Sequence, residues 1–139
     1  MDAAIRDHFA NLTALAHSHL DEVKILEEDR TPQRSLFRLS AKYHHYRVFI
    51  TEIITRQIRK YRSYVLDGER IVAGFDNAAD PRALRLKYGH IGEEHIGELV
   101  PHLHLENKTK LELTKEMECP EFIVWLETHL LGRPKCENE

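Results

Sequence analysis

YRSYVLDGERIVAGFDNA, residues 61–78, is the stretch on which the fold turns. Tyr61, Tyr64, Val65 and Leu66 precede Asp67-Gly68, and Ile71, Val72 and Phe75 follow it, so β-prone residues flank a strong turn signal. The pattern predicts an antiparallel hairpin whose returning strand stops at Asp76-Asn77. Upstream, Tyr46 to Thr55 is dense in β-branched residues, and Leu36 to Tyr43 alternates, with Phe37, Leu39, Ala41 and Tyr43 on one side. A strand meander is therefore expected over 35–77. Before it, Ile5, Phe9, Leu12, Ala16, Leu20, Val23 and Leu26 recur every three or four positions, which predicts one long amphipathic helix over 1–30, closed by Thr31-Pro32.

Downstream, Asp80-Pro81, Gly89, Gly92, Gly97 and Pro101 predict an irregular, histidine-bearing loop over 78–104 that has room for one helical turn. Residues 105–132 should hold an edge strand and a short helix opening at Cys119-Pro120-Glu121; the tail 133–139 should be disordered. The expected fold class is α+β: an antiparallel meander of about four to five strands packed by a long N-terminal helix and a short C-terminal one. At 139 residues the chain has room for one domain with a real core. It carries no run near the roughly 20 apolar residues of a membrane span and no signal-peptide pattern, so a cytoplasmic protein with no membrane partner is expected. Cys119 and Cys136 share no metal-knuckle spacing and read as reduced thiols.

The net charge of −3 hides a strong asymmetry. Residues 1–29 hold two basic and seven acidic side chains, residues 30–63 nine basic against Glu52 alone, and residues 64–139 nine basic against fifteen acidic. A basic block between acidic ones predicts a local surface for an anionic partner. Ordinary structure explains the same block as solvated strand faces paired with acids from the helices.

Two constellations carry candidate chemistry. Across the Asp67-Gly68 hairpin, Arg62 and Tyr64 come within reach of Asp76 and Asn77. Arginine holds phosphate bidentately and tyrosine stacks on bases, which suits RNA; Arg59, Lys60 and Arg47 would extend the phosphate-binding surface. Next, His102 and His104 are two apart, so on a strand they share a face and can act as an acid/base pair. His90 and His95 are the weaker candidates for a metal site with them. No phosphate-cradling glycine loop, nucleophile elbow or HExxH is present, which removes nucleotide-fold, hydrolase and metalloprotease readings.

The 61–78 run, followed by dispersed histidines and a short apolar helix, resembles the TumE family of toxin–antitoxin toxins over about residues 35–131. The chain differs from it in having Ala79-Asp80-Pro81 after Asp76-Asn77-Ala78, where adjacent histidines are usual, and in its long first helix. The layout is also similar to RelE- and barnase-like ribonucleases. The resemblance implies a toxin-like protein acting on RNA, in one form a ribonuclease, with a protein antitoxin as partner. In that case His102 and His104 would transfer protons and Arg62 would hold phosphate, with Asp76 and Asn77 supporting them and no cofactor required. The alternatives are a non-enzymatic nucleic-acid or protein-binding module and a divalent-metal protein. The stripe of the first helix fits a helix-mediated homodimer, but packing on its own sheet, as in a monomer, is the more frequent use of such a stripe.

Overall fold

A computed structural model describes residues 2–56, 58–90 and 92–130. Helix α1 (Asp2–His19) leads into β1 (Asp21–Arg30), β2 (Arg34–Tyr43), β3 (Tyr46–Thr55), β4 (Arg59–Asp67) and β5 (Arg70–Asp76). Then come α2 (Pro81–Tyr88), β6 (His102–Leu105), β7 (Lys110–Leu113) and α3 (Cys119–His129). The fold class is α+β, and the sheet is one antiparallel meander in strict chain order from β1 to β7. The anticipated hairpin turns at Asp67-Gly68, where Gly68 takes φ 63°. Among the described residues no helix is long and apolar enough to cross a membrane. The expected tail 133–139 and Cys136 lie outside the described residues.

Seven strands replace the four or five anticipated, and the extra ones correct two expectations. The first helix stops at His19, and residues 21–30 pair along β2. Bulges between Asp21 and Lys24 and between Ile25 and Glu27 break the two-residue alternation, which let Val23 and Leu26 pass for a continued helical stripe. What holds β1 is the open hydrogen-bonding edge of β2 rather than burial, since its residues are almost all exposed. The second correction is the region 78–104, where an eight-residue helix and the start of a strand flank the irregular stretch. Asp80 caps α2, its side chain accepting from the Arg82 amide at 2.8 Å; Pro81 opens the helix, and Gly89 closes it at φ 81°. Residues 102–105 are the sixth strand.

Register decides which side chains meet. Phe37, Leu39 and Ala41 of β2 stand opposite Glu52, Ile50 and Val48 of β3, then Tyr61, Ser63 and Val65 of β4, and onward to Phe75, Ala73 and Leu103. This face packs against α1 through Ile5, Phe9, Leu12 and Ala16 and against α3 through Phe122, Ile123 and Leu126. Phe9 stacks on Phe37 at 4.8 Å, and Phe75 meets Phe122 and Trp125 edge-on. Buried Glu52 lies within this core, held by His8 of α1 at 2.6 Å and Arg59 at 2.8 Å. Among the described residues, the opposite face of the sheet is covered only at its β6–β7 end, where Ala83 and Leu84 of α2 pack with Val100 and Leu111.

Candidate functional site

Two rungs of the ladder build the uncovered face. One reads Thr51, Arg62, Asp76, His102, Leu113 across β3 to β7; the next reads Phe49, Tyr64, Gly74, His104, Leu111. Residues on adjacent rungs of one face are neighbours, so a 42-residue separation between Arg62 and His104 collapses to a shared surface patch. Arg62, Tyr64, His102 and His104 thus lie on one face of the sheet. Exposure divides them: Arg62 is exposed, whereas His102 and His104 are 1 % and 3 % exposed.

At the junction of the rungs sits Asp76. Its Oδ1 accepts from the Ala78 amide at 3.0 Å and lies 3.0 Å from His102 Nε2; its Oδ2 accepts from the Tyr64 hydroxyl at 2.9 Å and lies 3.5 Å from His104 Nε2. The other nitrogen of His102, Nδ1, donates to the Val100 carbonyl at 2.6 Å. Burial works to raise the Asp76 carboxyl, but the His102 hydrogen bond and charge, with the Ala78 amide and the Tyr64 hydroxyl, outweigh it and hold it down to about 2. Burial would lower His102, yet Asp76 and the Val100 carbonyl raise it. Burial lowers His104, whose Nδ1 has no hydrogen-bond partner among the described residues. Burial and the neighbouring Asp76 push the Tyr64 hydroxyl upward. Gly74 makes room for this ring: a Cβ there would lie 2.7 Å from Tyr64 Cε1.

Beside Asp76 and Tyr64 opens a cleft of about 660 Å³. Its walls are apolar (Leu26, Phe49, Ile53, Leu66 and Ile71), and Arg38, Lys60, Arg62 and Lys108 ring it. Arg62 and Lys108 stand over the Tyr64 ring at 5.6 and 5.3 Å, and Arg47 over Phe49 at 4.9 Å. Among the described residues no carboxylate lies within 4.0 Å of the charged nitrogens of Arg47, Lys60, Arg62 or Lys108, whereas Arg38 is 3.6 Å from Glu27. These cations are therefore available to an external anion.

Several sequence candidates fall elsewhere. Arg59, three residues before Arg62, points to the helix face and is committed to Glu52 and Glu116, so it does not join the cleft. Strand parity separates it from Lys60 and Arg62. Asn77 clamps the end of β4, accepting from the Tyr61 amide and donating to the Arg59 carbonyl. His95 stacks on Tyr88 at 3.6 Å and pairs with Glu98, and His90 is exposed; neither joins His102 and His104. The three donors that do converge are Asp76, His102 and His104, whose ligand atoms all lie within 4.8 Å of one another. Sequence reading missed Lys108 and Phe49. Phe49 carried a signal, since it shares a strand face with Arg47; Lys108 carried none, because only the β6–β7 turn brings it to Tyr64.

No family model, curated protein or solved structure matches the chain in the comparisons made. The resemblance to the TumE family rests on the residues quoted for it.

Proposed function

We propose that the uncovered sheet face binds single-stranded RNA, with phosphates on Lys60, Arg62, Lys108 and Arg47 and bases against Phe49 and the apolar cleft wall. The observation that carries this reading is the set of four exposed, carboxylate-free cations around an aromatic and aliphatic floor. Cationic groups track a backbone while π-faces and apolar surface take the bases, without sequence-specific contacts. Binding is favoured over cleavage because the titratable groups that reach the cleft suit proton transfer poorly. Asp76 is held near 2 and Tyr64 is raised, while the two imidazoles stand behind them. In the toxin–antitoxin setting that the resemblance implies, an antitoxin would act by covering this same face.

The test is fluorescence anisotropy with a labelled single-stranded RNA at low salt, comparing wild type with Lys60→Ala/Arg62→Ala, and with the RNA examined on a gel afterwards. The double variant should bind at least about tenfold more weakly, with RNA left intact in both samples. Equal binding by the two proteins, or none by wild type, rules the reading out. Cleavage that disappears in His102→Ala/His104→Ala would replace it with the ribonuclease.

A further inference from the structure

We infer that Asp76, His102 and His104 form a binding site for a divalent first-row transition ion of the zinc or cobalt kind. This stands independently of RNA binding, because it rests on donor geometry behind the cleft rather than on the surface cations.

The argument begins with the distances. His102 Nε2 lies 3.2 Å from His104 Nε2 and 3.0 Å from Asp76 Oδ1, while His104 Nε2 lies 3.5 Å from Oδ2, the other oxygen of the same carboxylate. Metal–ligand bonds of about 2.0–2.2 Å at tetrahedral angles place neighbouring donor atoms about 3.3–3.6 Å apart; one ligand atom from each residue lies within 4.8 Å of the other two, so an ion fits once the carboxylate and rings turn to share a single centre. Next comes the proton inventory. The Val100 carbonyl can only accept, so His102 Nδ1 carries a proton, and in the neutral ring the Nε2 lone pair faces the other two donors. An imidazole anchored through its remote N–H to a carbonyl is the usual outer support of a metal ligand.

His104 supplies the independent observation. It is 3 % exposed and its Nδ1 has no hydrogen-bond partner among the described residues, whose polar contacts therefore orient the ring through Nε2. Two buried imidazole nitrogens stand 3.2 Å apart beside a carboxylate, and a cation seated among them satisfies all three together. The scaffold is rigid, since the ligands come from paired positions on the adjacent strands β5 and β6. Asp76 also lines the cleft, which gives the ion its route in from solvent. Two imidazoles and one carboxylate suit zinc, cobalt or ferrous iron rather than magnesium or calcium, and three protein ligands leave a position open.

The experiment uses untagged, chelator-stripped protein titrated with cobalt(II) and then zinc(II). The expected result is uptake of a single equivalent of cobalt with ligand-field bands in the visible spectrum, bleached when zinc displaces it. His104→Gln and Asp76→Asn should each lower affinity by more than about 100-fold, because loss of an outer support alone costs about 10–100-fold. His90→Ala/His95→Ala should bind as wild type does. If a ligand variant fails to fold, the proton spectrum of the wild-type cobalt form decides: it should show two solvent-exchangeable, paramagnetically shifted imidazole N–H signals. Absent uptake, uptake indifferent to His104→Gln in a folded variant, dependence on His90 and His95, or fewer than two such signals overturns the assignment.

Discussion

Replacing Gly74 with alanine tests how the candidate site is assembled. The added Cβ would lie 2.7, 2.8 and 2.9 Å from Tyr64 Cε1, Cζ and Cδ1. The ring must retreat by at least 0.7 Å to reach the 3.4 Å at which ordinary contact begins. It has little freedom to do so, because its hydroxyl is bonded to Asp76 at 2.9 Å and the residue is only 8 % exposed. Overpacking of this kind costs about 1–3 kcal/mol. A weakened hydrogen bond to a charged carboxylate adds up to about 1.5–3 kcal/mol. Against this, alanine in an extended strand restricts the unfolded chain and returns about 0.4–1 kcal/mol. The expected net loss is about 1–4 kcal/mol. Urea unfolding followed by fluorescence measures it, and a double-mutant cycle with Tyr64→Val isolates the cause, since valine has no atom where the new Cβ collides. In the Tyr64→Val background Gly74→Ala should be neutral or stabilising. A neutral Gly74→Ala in wild type, or a coupling energy below about 0.5 kcal/mol, would refute the claim that Gly74 exists to seat the tyrosine ring.

RNA affinity should fall with salt at a slope of about −2 to −3 in log–log form if the four cations Arg47, Lys60, Arg62 and Lys108 each meet a phosphate; Arg62→Ala should flatten it by about 0.7, whereas Arg59→Ala should leave it unchanged. An equal change from Arg59→Ala would show that the helix face contributes. The His8–Glu52 bond makes stability depend on pH in a set direction. The hydrogen bond to Glu52 raises His8 above its ordinary 6.5, against burial, so the stabilisation is complete below about pH 6.5 and fades as pH rises through the folded-state value. Melting curves from about pH 5.5 to about 8.5 should show wild type and His8→Ala converging as pH increases, and a constant gap would contradict this. Phe9→Ala, which removes a buried ring stacked on Phe37, should cost about 3–5 kcal/mol in chemical unfolding; a cost under about 1 kcal/mol would mean that α1 is not docked on the sheet as described.

Much of the meander was legible in the sequence. Strands β2 to β5 announced themselves because their alternation and the Asp67-Gly68 turn are local properties of the chain. The basic block, the sharing of a face by His102 and His104, and the C-terminal helix opening at Cys119 followed from the same kind of local pattern. What stayed hidden depended on partners distant in the chain. Strand β1 forms because β2 offers an edge, and its bulges erase the signature that would have shown it. The capping signals of α2, Asp80, Pro81 and Gly89, were present in the sequence but outweighed by the glycines beyond them. Which arginine serves the cleft was decided by the absolute orientation of β4: sequence parity separates Arg59 from Arg62, yet only the docking of α1 and α3 determines which of the two faces is buried. The union of Asp76 with His102 and His104 likewise required the pairing of β5 with β6 across 26 residues. Register is set by side-chain packing over the whole sheet, and no local run of residues encodes it.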